Sequence, residues 1–304
     1  MTALPSSPRG AERPAALTIA GSDSGGGAGI QADLRTFASH GVAGTCAVTA
    51  LTAQDTRGVA GSLEIPAEFV ALQVRTVLAD VEIAAAKSGM LAVPATVSAV
   101  AECIREWREH RGARGACLVV DPVMAAHAGG RLMAGDALPV LVGELLPLAD
   151  LVTPNLLEAA ALVGVDAATA LGWGRRERED VARAIAELGV PAVLVKGGHS
   201  TNDRDSSTGR ERVAADLLLH GGALAWLEEP WVETPHVHGT GCTLSAAITA
   251  RVALGSPLPV AVAGAKRFLT RALREARPLG HGRGSPHQLW RLDALLVEES
   301  DELG

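Results

Sequence analysis

Short apolar runs alternate with longer stretches of helical period along most of the chain. Residues 15–21, AALTIAG, form an apolar run ending in glycine and predict a buried first strand. A glycine-rich loop, SDSGGGAG over 22–29, comes next, after which Ile30, Leu34 and Phe37 fall at helical spacing. Runs of small and β-branched residues predict further strands over 44–52, 83–90, 117–124, 150–153 and 191–199. Between them the pattern predicts helices over 66–80, 94–110, 154–162 and 178–188. The first of these has Pro66 at its start and Phe69, Leu72 and Val77 on one face. Short strands over 216–219, 223–227 and 230–234 suggest a meander near a sheet edge, and helices over 242–254 and 258–275 close the pattern. Strands alternating with helices predict an α/β fold around a mostly parallel sheet. No repeat or linker divides it. The expected layout is a disordered tail over 1–14, one domain over 15–290 and a C-terminal tail over 291–304.

Composition narrows the classes of function. The chain has 304 residues, 48% of them hydrophobic, and a net charge of −7. No basic block stands out, which argues against nucleic acid as a partner. The apolar runs are broken well short of a membrane span, and the N-terminal residues lack the apolar core of a signal peptide. Cys46, Cys103, Cys117 and Cys242 lack metal-ligand spacing, which argues against a zinc site or a disulfide framework and fits a reducing cytoplasm. Of 27 basic residues only Lys87, Lys196 and Lys266 are lysines, so each raises the question of why arginine did not serve. Lys266, beside Arg267 in a helical stretch, reads as chance.

Ligands of parallel α/β sheets gather at the carboxyl ends of the strands, and the candidate chemistry falls there. The glycine loop after the first strand lacks the glycine of the dinucleotide fingerprint at Ile30 and is not followed by GK[ST], so it is neither a Rossmann fingerprint nor a P-loop. Asp23 within it reads equally as a polar ligand contact and as a turn former. Gln54 follows the second strand, and its amide can both donate and accept to a heteroaromatic ring edge. Met90 reads as an apolar wall or as core filler. Asp121 stands at a buried strand tip before Pro122 and suits magnesium or the phosphate side. Asn155 and Glu158 share a helix face and suit hydrated Mg²⁺ or phosphate, but also a capping box. Lys196 ends an apolar run and suits nucleotide phosphates. Gly239, Thr240 and Gly241 turn into a helix whose free N–H groups and dipole can hold a phosphoryl group in transfer. Cys242, at the mouth of that helix, is expected to ionise more easily than an ordinary thiol. Residues 125–131 read as a flap, 199–213 as a solvated loop and 280–290 as a Gly/His-rich surface segment.

Seven blocks, in order, carry a family resemblance: ALTIAGSDSGGGAGIQADLRTF (16–37), TALTAQDTRGV (49–59), KSGM (87–90), DPVM (121–124), TPNLLEAA (153–160), VKGGH (195–199) and HGTGCTLSAAI (238–248). They resemble the hydroxymethylpyrimidine/phosphomethylpyrimidine kinases of thiamine synthesis, in the ribokinase-like superfamily. The resemblance implies a three-layer α/β/α sandwich, ATP and Mg²⁺ as cofactors, and two successive phosphorylations of a small pyrimidine, 4-amino-5-hydroxymethyl-2-methylpyrimidine. It implies that Gln54 contacts the pyrimidine, with Gly21, Asp23 and Met90 lining the same pocket. It places Asp121, Asn155 and Glu158 on the magnesium and phosphate side and Lys196 and Thr240 on the nucleotide. Gly239, Gly241 and Cys242 then form the anion hole. A homodimer is implied by resemblance alone; the alternatives are a pyridoxal or pyridoxine kinase of the same fold and, in another class, a non-catalytic pyrimidine-binding sensor. Where the family carries a lysine and a serine after DPVM, this chain has His127 and Ala128, which bears on the second phosphorylation.

Overall fold

The first strand, β1 (Ala15–Asp23), runs two residues past its apolar stretch and carries the chain directly into the glycine loop. In this computed structural model, residues 13–112, 116–125, 132–198, 203 and 212–293 are described, so His127 and Ala128 lie outside the described residues. Helix α1 (Gly29–Ser39) leads to β2 (Ala43–Gln54), which pairs antiparallel with β3 (Val59–Glu64). Then follow α2 (Ala67–Asp80), β4 (Ile83–Ser88), α3 (Pro94–Arg111) and β5 (Cys117–Val120). A short α4 (Ala137–Val140) precedes β6 (Leu151–Val152), α5 (Leu156–Leu162), α6 (Ala167–Ala170), α7 (Arg175–Ala186) and β7 (Ala192–Val195). The hairpin β8 (Val213–His220) and β9 (Ala223–Pro230) leads to α8 (Thr240–Ala253) and α9 (Leu258–Arg274).

One sheet of nine strands results, in the order β3-β2-β1-β4-β5-β6-β7-β8-β9. Its six central strands are parallel, and β3 on one side and β8 and β9 on the other are antiparallel. Successive side chains of a strand point to opposite faces, and the core shows it. Leu118, Val120, Val193 and Val195 pack with α2, α3, α5 and α7. Val119, Ala192 and Leu194 pack with α8 and α9. Both faces are covered, which is why the central strands read as continuous apolar runs. This is the expected α/β/α sandwich. Among the described residues no helix is long and apolar enough to cross a membrane.

Two local expectations are corrected. The buried face of α2 is Val70, Ala71 and Val74, whereas Phe69 and Leu72 are 53% and 57% exposed. The seam at i, i+4 and i+7 through Val70, Val74 and Val77 turns them outward. Residues 230–234 form no third meander strand. β9 stops at Pro230, which has no N–H to continue the ladder, and among the described residues only the Trp231 N–H continues the pairing, to Arg212 O at 3.1 Å.

His40, at the C-cap of α1, gives the fold a pH dependence. Its ring packs on Phe268 at 4.5 Å between centroids, and Nδ1–H donates to Thr36 O at 2.8 Å. Burial, helped by the charges of Arg291 and Arg251 and opposed by the bond to Thr36, lowers its pKa to about 4. The folded value lies below the unfolded one, so His40 contributes stability above pH ~6.5 that is lost as pH falls through ~4. Denaturant unfolding of the wild type and His40→Gln at pH 7 and pH 4 should show the variant losing about 3 kcal/mol less on acidification. Equal losses would contradict this assignment.

Candidate functional site

The carboxyl ends of β1, β4, β5, β6 and β7 and the start of α8 lie together, because a parallel sheet points all its strand ends the same way. Asp23 closes β1 and organises the glycine loop. Its Oδ1 accepts the Gly25 N–H at 2.9 Å, and its Oδ2 accepts those of Gly27 at 3.0 Å and Ala28 at 2.8 Å. The turn-forming reading of Asp23 therefore describes its contacts here. His238 Nε2 lies 2.8 Å from the same Oδ2. Burial acts to raise the Asp23 carboxyl, but His238 and the loop amides outweigh it and hold the group below the ordinary value.

Gln54 is the last residue of β2, not a loop residue after it, and its side chain lies 3.0 Å from His238 Nε2. Ser24 ties the two loops together by donating to Gln54 O at 2.7 Å and accepting the Gln54 N–H at 2.8 Å. A Cβ on Gly21 would stand 3.1 Å from Met90 Sδ, so these two residues are in contact. His238 was legible only as part of the HGTGC block, since nothing in sequence spacing pairs it with Asp23 or Gln54.

Residues 280–290 are more than surface. Gly282 N–H donates to Thr56 Oγ1 at 2.9 Å, Arg283 N–H to Thr56 O at 2.7 Å, and His238 N–H to Gly284 O at 3.1 Å. The segment thus forms one wall of a shallow cleft whose other side is Asp23, Gly25, Gly27, Thr56 and His238.

On the other side of the α8 turn, Lys196 Nζ donates to Asp121 Oδ1 at 2.7 Å and stands 3.7 Å from Glu158 Oε2. Asp121 is also approached by Thr153 Oγ1 at 3.2 Å and Ser245 Oγ at 3.3 Å. Burial acts to raise Asp121, but Lys196, Lys87 and these hydrogen bonds lower it overall. Glu158 is pushed up to about 7 by burial and by Asp121, against the pull of Lys196. Asn155 and Glu158 form the capping box. The Asn155 side chain accepts from the Leu157 and Glu158 N–H groups, and Glu158 Oε2 accepts the Asn155 N–H at 2.7 Å. Asn155 is thereby committed to the helix start, while Glu158 serves the cap and still faces Lys196.

The turn itself is backbone on backbone. Gly239 has φ 80°, and a Cβ there would lie 2.0 Å from Gly27 O, so the 239–241 turn rests directly on the glycine loop. Thr240 opens α8 with its N–H donating to Val237 O at 3.3 Å. A Cβ on Gly241 would stand 3.3 Å from Lys196 Nζ and 3.4 Å from Asp121 Oδ2, which places the first turn of α8 against the ion pair. Cys242 corrects an expectation. Burial, with Asp33 and Asp121 adding to it, pushes its thiol up to about 11, and Lys87 and the Gly29 N–H only partly oppose this. The helix dipole does not prevail against desolvation and two carboxylates.

Beneath the turn lies a cluster that motif reading missed. Lys87 Nζ is 2.9 Å from both oxygens of Asp33, and Thr18 Oγ1 donates to Asp33 Oδ2 at 2.6 Å. Lys87 and Asp33 are fully buried. The rarity of lysine was the signal. All three lysines are held against aspartates, and Lys266, which read as chance, meets Asp216 at 2.6 Å.

Known proteins resemble this chain over most of its length. A family model described as phosphomethylpyrimidine kinase matches residues 23–287. A hydroxymethylpyrimidine/phosphomethylpyrimidine kinase of Rhizobium meliloti is 46% identical over 278 residues, covering 91% of this chain and 97% of that protein. The thiamine biosynthesis bifunctional protein ThiED of Geobacter sulfurreducens is 43% identical over 272 residues, 90% of this chain and 51% of its own length. An ADP complex of Bacillus subtilis pyridoxal kinase matches with a TM-score of 0.78 at 33% identity, covering 92% of this chain and 100% of that one. Phosphomethylpyrimidine kinase from Clostridium difficile matches with a TM-score of 0.71 at 34% identity, covering 86% and 100%.

Proposed function

Because this chain belongs to the phosphomethylpyrimidine kinase family, we propose that it phosphorylates 4-amino-5-hydroxymethyl-2-methylpyrimidine from ATP, first to the monophosphate and then to the diphosphate. The observation that carries this reading is the meeting of Lys196, two buried carboxylates and the start of α8 at the strand ends. Phosphoryl transfer has a loose transition state, so positioning and charge stabilisation do most of the work. Gln54 reads the ring edge, with Gly21, Asp23 and Met90 around it. Lys196 meets the nucleotide phosphates, with Thr240 and Asn155 beside it. The N–H groups of Gly239, Gly241 and Cys242 face the group in transfer. The Cys242 thiol, pushed up to about 11 by burial, keeps its proton near neutral pH, so its share is the backbone N–H.

The donor set suits Mg²⁺. Asp121 and Glu158 are hard oxygen ligands, and the ammonium between them marks a place already built for a cation. Bound there, Mg²⁺ supplies charge that neutralises the phosphate oxygens.

The homodimer is supported by exposed apolar residues at one sheet edge. Leu51 of β2 pairs with Leu63 of β3, both exposed, and Phe69 and Leu72 of α2 are exposed as well. The four free cysteines support a cytoplasmic setting.

ATP consumption with the hydroxymethylpyrimidine and with pyridoxal in parallel tests the reading. Turnover of the pyrimidine at the higher kcat/KM is the expected outcome. Turnover of pyridoxal alone, the activity of the Bacillus subtilis structural relative, would overturn it.

A further inference from the structure

We propose that Asp216, whose buried carboxylate is neutralised by Lys266, is a positioning residue for Lys196, acting through the backbone N–H of Gly197. The two oxygens of Asp216 face two different elements. Oδ2 accepts from Lys266 Nζ of α9 at 2.6 Å, and Oδ1 accepts the Gly197 N–H at 2.8 Å. Both side chains are buried, Lys266 at 6% and Asp216 at 5% exposure. Asp216 has the same parity along β8 as Leu218, which packs in the α8–α9 layer, so its carboxylate points where α9 can reach it.

The backbone needs such an acceptor at this point. The β7–β8 ladder ends with Val195 opposite Leu217. Lys196 N–H has already left the ladder and donates to Pro154 O at 2.8 Å. At the next residue the chain passes so close to β8 that a Cβ on Gly197 would lie 1.9 Å from Ala215 O. The Gly197 N–H therefore depends on the Asp216 side chain for its partner, and Lys196 is held between Pro154 on one side and Asp216 on the other. A buried ion pair is a poor way to add stability, because apolar residues of similar volume do as well or better. What this pair adds is direction. Asp216 Oδ1 fixes Gly197, which sets where the Lys196 ammonium lies between Asp121 and Glu158, and Lys266 lets that carboxylate stay charged while buried.

The inference rests on reading Lys196 as the nucleotide-side cation. The test uses full-length protein, with ATP affinity measured by titration calorimetry and KM measured separately for ATP and for the pyrimidine. Lys266→Met leaves a buried unpaired carboxylate and is expected to lower the melting temperature for that reason alone, so two double variants decide. Lys266→Met/Asp216→Asn removes both charges but keeps an acceptor for Gly197. Lys266→Met/Asp216→Leu removes the acceptor as well. The expected result is ATP affinity and KM within about twofold of wild type for the Asn variant. The Leu variant should show an ATP KM raised about tenfold or more with the pyrimidine KM unchanged. Lys266→Arg should retain most of the ATP affinity. ATP binding equal in the Asn and Leu variants, or loss of both KM values together, would overturn the positioning role alone. Wild-type protein that binds no ATP would overturn this proposal and the kinase reading together.

Discussion

Lys87→Met is expected to cost about 3–5 kcal/mol of folding stability, among the largest losses any single substitution in this chain should produce. Lys87 and Asp33 are both fully buried, and the ammonium meets both carboxylate oxygens at 2.9 Å. Methionine fills the stem's volume but leaves Asp33 with the Thr18 hydroxyl as its one remaining side-chain hydrogen bond among the described residues. Burial already raises the Asp33 carboxyl despite Lys87 and Thr18, and without Lys87 it rises further. A carboxyl whose folded pKa exceeds its unfolded value contributes stability that is full below the unfolded pKa and lost as pH rises through the folded one. The variant's deficit should therefore be small near pH 4 and grow toward pH 8. Adding Asp33→Asn should recover much of the loss. Urea unfolding of the two single variants and the double variant across that range measures all three effects. A deficit below about 1 kcal/mol, or one independent of pH, would mean that the pair does not hold the floor of the site.

Gly239→Ala should lower kcat/KM by about 10²–10³-fold, the scale seen when one donor of an oxyanion-type hole is removed. The methyl group would stand 2.0 Å from Gly27 O, 2.9 Å from Gly27 C and 3.0 Å from Ala28 Cα. Every one of these is backbone, so relief requires the 239–241 turn to move off the glycine loop. Gly255 separates this effect from simple backbone strain. It lies just past the other end of α8 with φ 85°, and a Cβ added there would meet nothing within 4 Å among the described residues. Gly255→Ala should cost about 1 kcal/mol of stability and leave turnover unchanged. Steady-state kinetics and melting curves of the two variants make the comparison. Equal activity losses in both, or full turnover in Gly239→Ala, would refute a role for the turn in transfer.

The sheet was legible because its central strands are covered on both faces. Such strands leave a mark that needs no partner to be read, an apolar run ending in glycine, aspartate or lysine. The clustering of Asp121, Glu158, Lys196 and Gly241 followed from the same geometry, since parallel strands deliver their ends to one side. Three things were not legible, each for a long-range reason. Asp33 and Asp216 gave no local sign that they pair with lysines 54 and 50 residues away. The Cys242 thiol was read from its helix, while its proton affinity is set by burial and by carboxylates on other elements. The wall formed by residues 280–290 depends on hydrogen bonds to Thr56 and His238, which sequence spacing does not encode. The outward turn of Phe69 and Leu72 is a different kind of miss. Several apolar stripes can be drawn on α2, and the sheet selects among them.

If one site transfers phosphoryl groups from ATP to a hydroxymethylpyrimidine twice, the products must appear in sequence. Mass analysis of a reaction containing the pyrimidine, ATP and Mg²⁺, sampled through the time course, reads that sequence. The expected result is a monophosphate that rises first and a diphosphate that replaces it, with ADP formed at each step. ATP left intact, or a pyrimidine that gains no phosphoryl group while ADP accumulates, would refute the transfer.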